Sequence, residues 1–222
     1  MTDIVLVPGS HHGGWFYDPV LPALRAAGHR VIPVTLTGLG ERRHLARSGV
    51  NLDTHVEDLV QVFDNQGVSD AVLVGHSYGG MVITAATDRL MDRVRALTYL
   101  DAMVPADGQS LWDLLPEGFR HAFTSQSKDG LTTDPAPAMD RRASPHPLGT
   151  VFQPVRLRAG PDRIRRSFLL ASGWEGSPFP SIYAALPSGW RREQVATGHD
   201  LVAEAPKVVS DFILRAAGET MS

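Results

Sequence analysis

The most informative stretch of this sequence is Ala71-Val72-Leu73-Val74-Gly75-His76-Ser77-Tyr78-Gly79-Gly80. Its first four residues are apolar, which predicts a short buried strand, and the glycines predict a tight turn into a helix. Residues 75–79 match G-x-S-x-G, a motif that places its serine, here Ser77, at the tip of such a turn. Small neighbours are needed because the serine backbone is strained there. The stretch therefore predicts an exposed serine hydroxyl at the carboxyl edge of a parallel sheet, facing the N-terminus of the next helix.

Strand-like and helix-like segments alternate along most of the chain, which predicts a mainly parallel, right-handed wound α/β sheet. The predicted strands span residues 4–7, 30–34, 71–74, 94–100, 167–171 and 191–196. Two helices are predicted to begin with Asp18 and Asp53 as their caps, and a closing helix is predicted from Val202 to Ala217. For 222 residues, a single domain over residues 1–222 is the natural interpretation.

The alternation stops between Met103 and Asp162. This segment is rich in proline, glycine and polar residues, with aromatic residues at 112, 119, 123 and 152. An excursion of this length predicts a functional element rather than an idle loop. The alternative is that residues 103–162 are a floppy insertion.

Composition restricts the classes of partner and chemistry. The hydrophobic fraction of 43% is ordinary for a globular protein, and the formal net charge of −3 does not favour nucleic acid or an anionic membrane as partner. The absence of cysteine excludes disulfides, thiolate metal sites and a cysteine nucleophile. The sequence enters its first predicted strand without a leader-like or membrane-spanning segment, so we expect a cytoplasmic protein.

A nucleophilic serine needs a general base, and position selects one of the nine histidines. In folds with a G-x-S-x-G turn the chain order is serine, acid, histidine. His199 follows the last predicted strand and is the only histidine after His146, so it is the predicted base. The alternative is a glycine-rich turn with an idle Ser77. The remaining histidines are interpreted as surface, loop or packing residues, among them His29, His44, His55, His76 and His121.

Two carboxylates are candidates for the acid that orients His199. Asp101 comes directly after the predicted strand 94–100, and Glu175 lies in the turn Gly173-Trp174-Glu175-Gly176 after the next strand. The later position is the usual one for the acid. A carboxylate at a strand end is better held than one on a glycine-flanked turn, so Asp101 is favoured and Glu175 remains the alternative.

An ordered set of motifs resembles one protein family over nearly the whole chain. The motifs are V-L-V-P-G at 5–9, G-G-W at 13–15, L-T-G-L-G-E-R at 36–42, G-H-S-Y-G-G at 75–80, Y-L-D-A at 99–102 and G-H-D at 198–200. Together they resemble small bacterial α/β-hydrolases related to plant methylesterases and hydroxynitrile lyases. The resemblance implies an α/β-hydrolase fold, with a mainly parallel central sheet and helices on both faces. It also implies that the segment at about residues 103–162 is a small cap that roofs the active site.

The same resemblance implies an oxyanion hole made by two backbone N–H groups. These belong to Tyr78, after the nucleophile, and to Ser10, in the loop after the first strand. Relatives usually have His-Gly where this chain has Pro8-Gly9, so this loop must be held differently. The expected substrate-binding residues are Gly9, His11, Trp112 and Phe123. No metal site is expected, because His11 and His12 lack a convincing set of further ligands.

The expected activity is serine-dependent hydrolysis of a small or medium apolar ester or lactone through an acyl-enzyme, with no cofactor. One alternative is a lyase, or an eliminating or cyclising enzyme, on the same scaffold. Hydroxynitrile lyases of this group carry threonine at the position of Gly9 and lysine at that of Asp200, which argues against cyanohydrin cleavage. Another alternative is a ligand-binding protein. Oligomeric state is not predicted.

Overall fold

The structure, a computed structural model, describes residues 1–218 and is built around a sheet of six parallel strands. The strands of this part of the chain are β1 Asp3–Val7, β2 Arg30–Pro33, β3 Ala71–His76, β4 Val94–Leu100, β5 Thr132–Thr133, β6 His146–Pro147, β7 Arg165–Ala171 and β8 Arg191–Val195. The central sheet has the order β2-β1-β3-β4-β7-β8, while β5 and β6 form a separate antiparallel ribbon. The predicted parallel α/β sheet is confirmed.

Helices cover both faces of the sheet. They are α1 Leu21–Ala26, α2 Leu52–Gln66, α3 Gly79–Leu90, α4 Leu111–Leu114, α5 Glu117–Ser125, α6 Gly149–Phe152, α7 Phe179–Ala185, α8 Leu201–Glu204 and α9 Pro206–Ala216. Because successive strand residues point to opposite faces, β1 sends Val5 and Val7 into one core and Ile4 and Leu6 into the other. Side chains of α2, α3 and α7 share the first core, and those of α1 and α9 share the second.

The strand order places two loops side by side at the carboxyl edge of the sheet. β1 and β3 are neighbours, and from them the chain winds outward to β2 on one side and β4 on the other. Ligands of open parallel sheets bind in the crevice at such a reversal of strand order. The turn that carries Ser77 and the loop that follows β1 therefore meet where a binding site is expected.

The chain leaves the sheet between β4 and β7, in the region interpreted as a cap. This excursion carries α4, α5, the β5–β6 ribbon and α6. Asp88 of α3 holds the returning end, because its carboxylate accepts hydrogen bonds from the backbone N–H groups of Ala159, at 3.2 Å, and Gly160, at 3.1 Å. The excursion is thus anchored to the helix that follows the serine turn.

Three helix boundaries differ from the sequence predictions. α1 begins at Leu21 without a side-chain cap, so Asp18 does not cap it. α2 is capped by Asn51, whose side chain accepts a 3.0 Å hydrogen bond from the Thr54 N–H, and Asp53 lies within its first turn. The closing helix is two helices, because proline at 206 disfavours helical geometry in the preceding residue. No helix among residues 1–218 is long and apolar enough to cross a bilayer.

Candidate active site

Ser77 lies in the turn between β3 and α3 with a φ of +53°. This left-handed conformation is costly for a residue with a side chain and is found mainly where the surroundings enforce it. Its N–H donates to the Leu100 carbonyl at 3.3 Å, and its own carbonyl accepts from the Gly80 N–H at 3.1 Å. A Cβ on Gly79 would collide with the Val7 carbonyl, so glycine lets α3 start directly against β1. The turn is therefore held by both neighbouring strands.

Asp101 and His199 are joined by a hydrogen bond of 2.7 Å between Asp101 Oδ2 and His199 Nδ1. Asp101 is fully buried at the end of β4, with a φ of +42°. Its other carboxylate oxygen accepts the Ala171 N–H at 3.2 Å, and its own N–H donates to the Leu169 carbonyl at 2.8 Å. Burial raises the pKa of the Asp101 carboxyl, and the bond to His199 opposes that rise. The carboxylate is thus fixed on both oxygens.

Glu175, the alternative acid, lies elsewhere. It is exposed in the turn between β7 and α7, and no hydrogen bond joins it to His199 in the part of the chain that the structure describes. Its neighbour Trp174 occupies the inward position instead, with its ring centroid 4.6 Å from that of His199. The structure therefore brings Asp101, and not Glu175, to the histidine.

Aromatic rings hold His199 from several sides. Phe179 stacks on its imidazole with centroids 5.1 Å apart and an interplanar angle of 12°. His76 lies 4.5 Å away and shares a 3.0 Å hydrogen bond between its Nε2 and the His199 carbonyl, so this nitrogen is the donor. The sequence analysis does not predict Trp174 or Phe179 as site residues. Trp174 is adjacent to Glu175 in the turn considered for the acid, and this adjacency is the signal that could have identified it.

Ser77 and His199 line the same cavity, but no hydrogen bond joins Ser77 Oγ to His199 Nε2 within residues 1–218. Catalytic hydrogen bonds are often long in free enzymes and tighten only when substrate is bound. Because the Asp101 carboxylate can only accept, Nδ1 of a neutral His199 carries the proton. Nε2 is then left as the acceptor for a serine proton.

The loop after β1 approaches Ser77 closely. A Cβ added to Gly9 would lie 2.8 Å from Ser77 Cβ and 3.0 Å from His76 Nδ1, so only glycine fits without a shift. Within this loop, the Ser10 carbonyl accepts a 2.7 Å hydrogen bond from His12 Nδ1. Neither the Ser10 nor the Tyr78 N–H has a protein acceptor among the described residues. Both are available as donors.

The cavity above Ser77 has a volume of about 360 Å³, within the usual range for small-molecule sites. Most of its walls are apolar, and the excursion between β4 and β7 supplies Met103, Leu111, Leu115, Phe119, Ala122, Phe123, Ala136 and Met139. The segment from the turn after β7 to the start of α7 adds Trp174, Pro178 and Phe179. The polar side chains that line it include His11, His12 and Gln126. Of the expected substrate-binding residues, Gly9, His11 and Phe123 line this cavity.

Trp112 does not line the cavity, which corrects its interpretation as a substrate-binding residue. Its ring packs on Phe152 with centroids 5.1 Å apart, and the Arg120 guanidinium lies 5.6 Å from the ring. A helix turns by about 100° per residue, so Leu111 and its neighbour one turn later, Leu115, face the cavity while Trp112 points away.

We therefore expect Phe119→Ala, and not Trp112→Ala, to change substrate selectivity. Phe119 lines the cavity and packs edge-to-face on Trp174 at 5.7 Å. Removing its ring enlarges the cavity, so the ratio of kcat/KM for octanoyl over acetyl p-nitrophenyl esters should rise about tenfold. Trp112→Ala is the matched control and should leave this ratio within about twofold. Equal ratios in the wild type and Phe119→Ala would contradict this arrangement.

The interpretation of His55 as a surface or loop residue is wrong, because His55 lies within α2 and is fully buried beneath the serine turn. Its Nε2 contacts the Thr37 carbonyl at 2.8 Å and must donate there, so its Nδ1 accepts from the Tyr78 hydroxyl at 2.8 Å. Burial lowers the pKa of His55 to about 4. His55 thus holds the side chain of Tyr78, the residue directly after Ser77. Its helical spacing from Leu52 and Leu59 already placed it on the apolar face of α2.

His29 lies in the loop before β2, one of the two predicted locations, but it is buried there and its Nδ1 lies 3.1 Å from the Thr2 carbonyl. It lies at the start of the chain's first strands, away from the cavity. Within residues 1–218 no group of three or more histidine, aspartate or glutamate side chains is arranged to hold a metal ion.

Comparison with known proteins gives consistent matches. The model of a family described as the alpha/beta hydrolase family matches residues 4–212. The carbendazim hydrolyzing esterase of Nocardioides sp. strain SG-4G is 38% identical, over 95% of this chain and 98% of that protein. Methylesterase 3 of Arabidopsis thaliana is 33% identical, over 57% of this chain and 52% of that protein.

A solved structure supports the fold. It is an extracellular alpha/beta-hydrolase from a Paenibacillus species, described as sharing structural and functional homology with tobacco salicylic acid binding protein 2. The TM-score is 0.83 at 22% identity, over 97% of this chain and 99% of that one. At this identity the likeness concerns the fold alone.

Proposed function

The chain belongs to the alpha/beta hydrolase family and its relatives include esterases, and from that premise we propose that it is a serine esterase acting on small or medium apolar carboxylic esters or lactones. The observation that carries the proposal is the 2.7 Å contact between buried Asp101 and His199, beside a serine turn at the bottom of an apolar cavity. This is the arrangement that nucleophilic catalysis by serine requires.

In the proposed reaction, Ser77 Oγ attacks the ester carbonyl carbon while His199 Nε2 takes the serine proton. Asp101 holds the histidine tautomer and stabilises the imidazolium that forms. The carbonyl oxygen becomes an oxyanion, which the Ser10 and Tyr78 N–H groups stabilise. The imidazolium returns its proton to the departing alkoxide, leaving an acyl-enzyme. A water molecule, deprotonated by His199, then releases the acid and restores Ser77.

The cavity supports the choice of substrate class. Its volume of about 360 Å³ suits a group of one or two rings, and its largely aromatic and aliphatic walls favour apolar acyl or alcohol groups. The relative that matches over nearly its whole length is named for the hydrolysis of carbendazim. Carbendazim therefore belongs among the substrates to be tested.

The proposal is tested with a substrate panel and an active-site probe. We expect stoichiometric labelling of Ser77 by a fluorophosphonate, located by peptide mass, and hydrolysis of p-nitrophenyl esters, aromatic methyl esters, lactones or carbendazim. Prior labelling should abolish that hydrolysis. Rapid cyanide release from mandelonitrile without ester hydrolysis would indicate lyase chemistry, and binding without turnover or labelling would indicate a ligand-binding protein.

A further inference from the structure

His11 has an unusual backbone conformation for a residue with a large side chain. It lies in the loop after β1 with a φ of +70°, lines the cavity and is 8% exposed. Only four residues other than glycine have positive φ in the described part of the chain, and three of them, His11, Ser77 and Asp101, belong to this site. Such conformations persist where the surroundings hold the residue in place, and they cluster at functional sites.

The orientation of the His11 ring is fixed by one cap residue. Its Nδ1 lies 3.0 Å from the Ser144 carbonyl, which can only accept, so Nδ1 carries the hydrogen. The Ser144 N–H in turn donates to the His11 carbonyl at 2.9 Å, and the Ser144 hydroxyl oxygen accepts from the Gly40 N–H at 2.9 Å. The loop and the cap are thereby tied together, and the tautomer of His11 is set.

The other nitrogen, Nε2, is consequently a bare acceptor. Burial lowers the pKa of His11 to about 4, so the ring is neutral near pH 7. Nε2 has no protein partner in residues 1–218 and is not sealed off from solvent, and the His11 residue that carries it lines the cavity. The ring is flanked by Phe123, with centroids 6.5 Å apart, and by His146, at 5.6 Å.

We propose that His11 Nε2 accepts a hydrogen bond from an N–H or O–H group of the substrate, so that the enzyme prefers esters carrying such a donor over esters of the same shape without one. This inference rests on the proposed esterase function and narrows its substrate class. The physical reason is that an acceptor left unpaired in an apolar site costs free energy, which a donor-bearing substrate recovers and a purely apolar one does not.

Matched bicyclic esters test the proposal. Methyl indole-4-, -5-, -6- and -7-carboxylate carry a ring N–H, and the corresponding methyl benzothiophenecarboxylates have nearly the same shape without a donor. We expect at least one indole isomer to exceed its benzothiophene partner about tenfold in kcat/KM, the ratio that corresponds to a net hydrogen bond of about 1.4 kcal/mol. His11→Phe should reduce this ratio to about one, and the ratio, rather than the absolute rate on either ester, is the readout.

The control variant is His121→Phe, which alters an exposed histidine of α5 and should keep the wild-type ratio. Affinities of the same ester pairs for Ser77→Ala, measured by calorimetry, provide a readout that does not need His11→Phe to fold. The proposal would be overturned if, for every pair, the affinities for Ser77→Ala were equal and the kcat/KM values of the wild type were equal. An unchanged ratio in His11→Phe would overturn it as well. Hydrolysis that persists in Ser77→Ala would instead overturn the proposed function.

Discussion

Replacing Ser77 with alanine is expected to lower kcat by about 10⁶-fold, or about 8 kcal/mol of activation free energy. The reason is that no acyl-enzyme can form without the hydroxyl, while the oxyanion donors and the cavity remain. The measurement is hydrolysis of an activated p-nitrophenyl ester, with enzyme concentrations high enough to detect residual turnover.

The fold should survive this substitution. Alanine at a φ of +53° bears about the same backbone cost as serine, and Ser77 is held in the turn through backbone hydrogen bonds that alanine keeps. The thermal unfolding midpoint should therefore stay within about 2 °C. Ser69→Ala, at an exposed position, is the matched control and should retain full activity. Turnover near the wild-type rate in Ser77→Ala would refute the nucleophile assignment.

Asp101→Asn is expected to lower kcat by about 10⁴-fold, the effect known when the acid of a serine protease triad is changed to its amide. The contacts of Asp101 explain why. The Ala171 N–H needs an acceptor, so the asparagine oxygen should turn toward it and leave the NH₂ group facing His199. The imidazole must then carry its proton on Nε2, where it cannot accept the serine proton.

Glu175→Gln provides the comparison at the alternative position. Glu175 is exposed and, within residues 1–218, has no hydrogen bond to His199, so its loss should reduce kcat by less than about tenfold. Both variants are measured with one activated ester at one pH, and circular dichroism checks that each is folded. If Glu175→Gln is crippled while Asp101→Asn is active, the acid is at the usual position for this fold and our assignment is wrong.

Local sequence patterns were sufficient for much of the fold. Strand β4 has its predicted bounds of Val94–Leu100, because five of its seven residues are apolar and such a composition is typical of a strand covered on both faces. The serine turn was equally readable, since a strained backbone between a strand and a helix requires glycines at particular spacings. Helix starts were less readable. Asp18, Asn51 and Asp53 are all chemically able to cap a helix, and backbone geometry chose among them.

The sequence by itself determined the α/β architecture, the position of Ser77 in its turn and His199 as the histidine best placed by chain order. Tertiary structure decided which carboxylate meets that histidine, because the Asp101–His199 contact joins residues 98 positions apart and depends on how β4, β7 and the last loop pack. It also decided that Leu111 rather than Trp112 faces the cavity and that His55 lies beneath the turn. Short-range spacing encodes local conformation, whereas the direction of each side chain toward a distant partner is set only when the strands and helices pack.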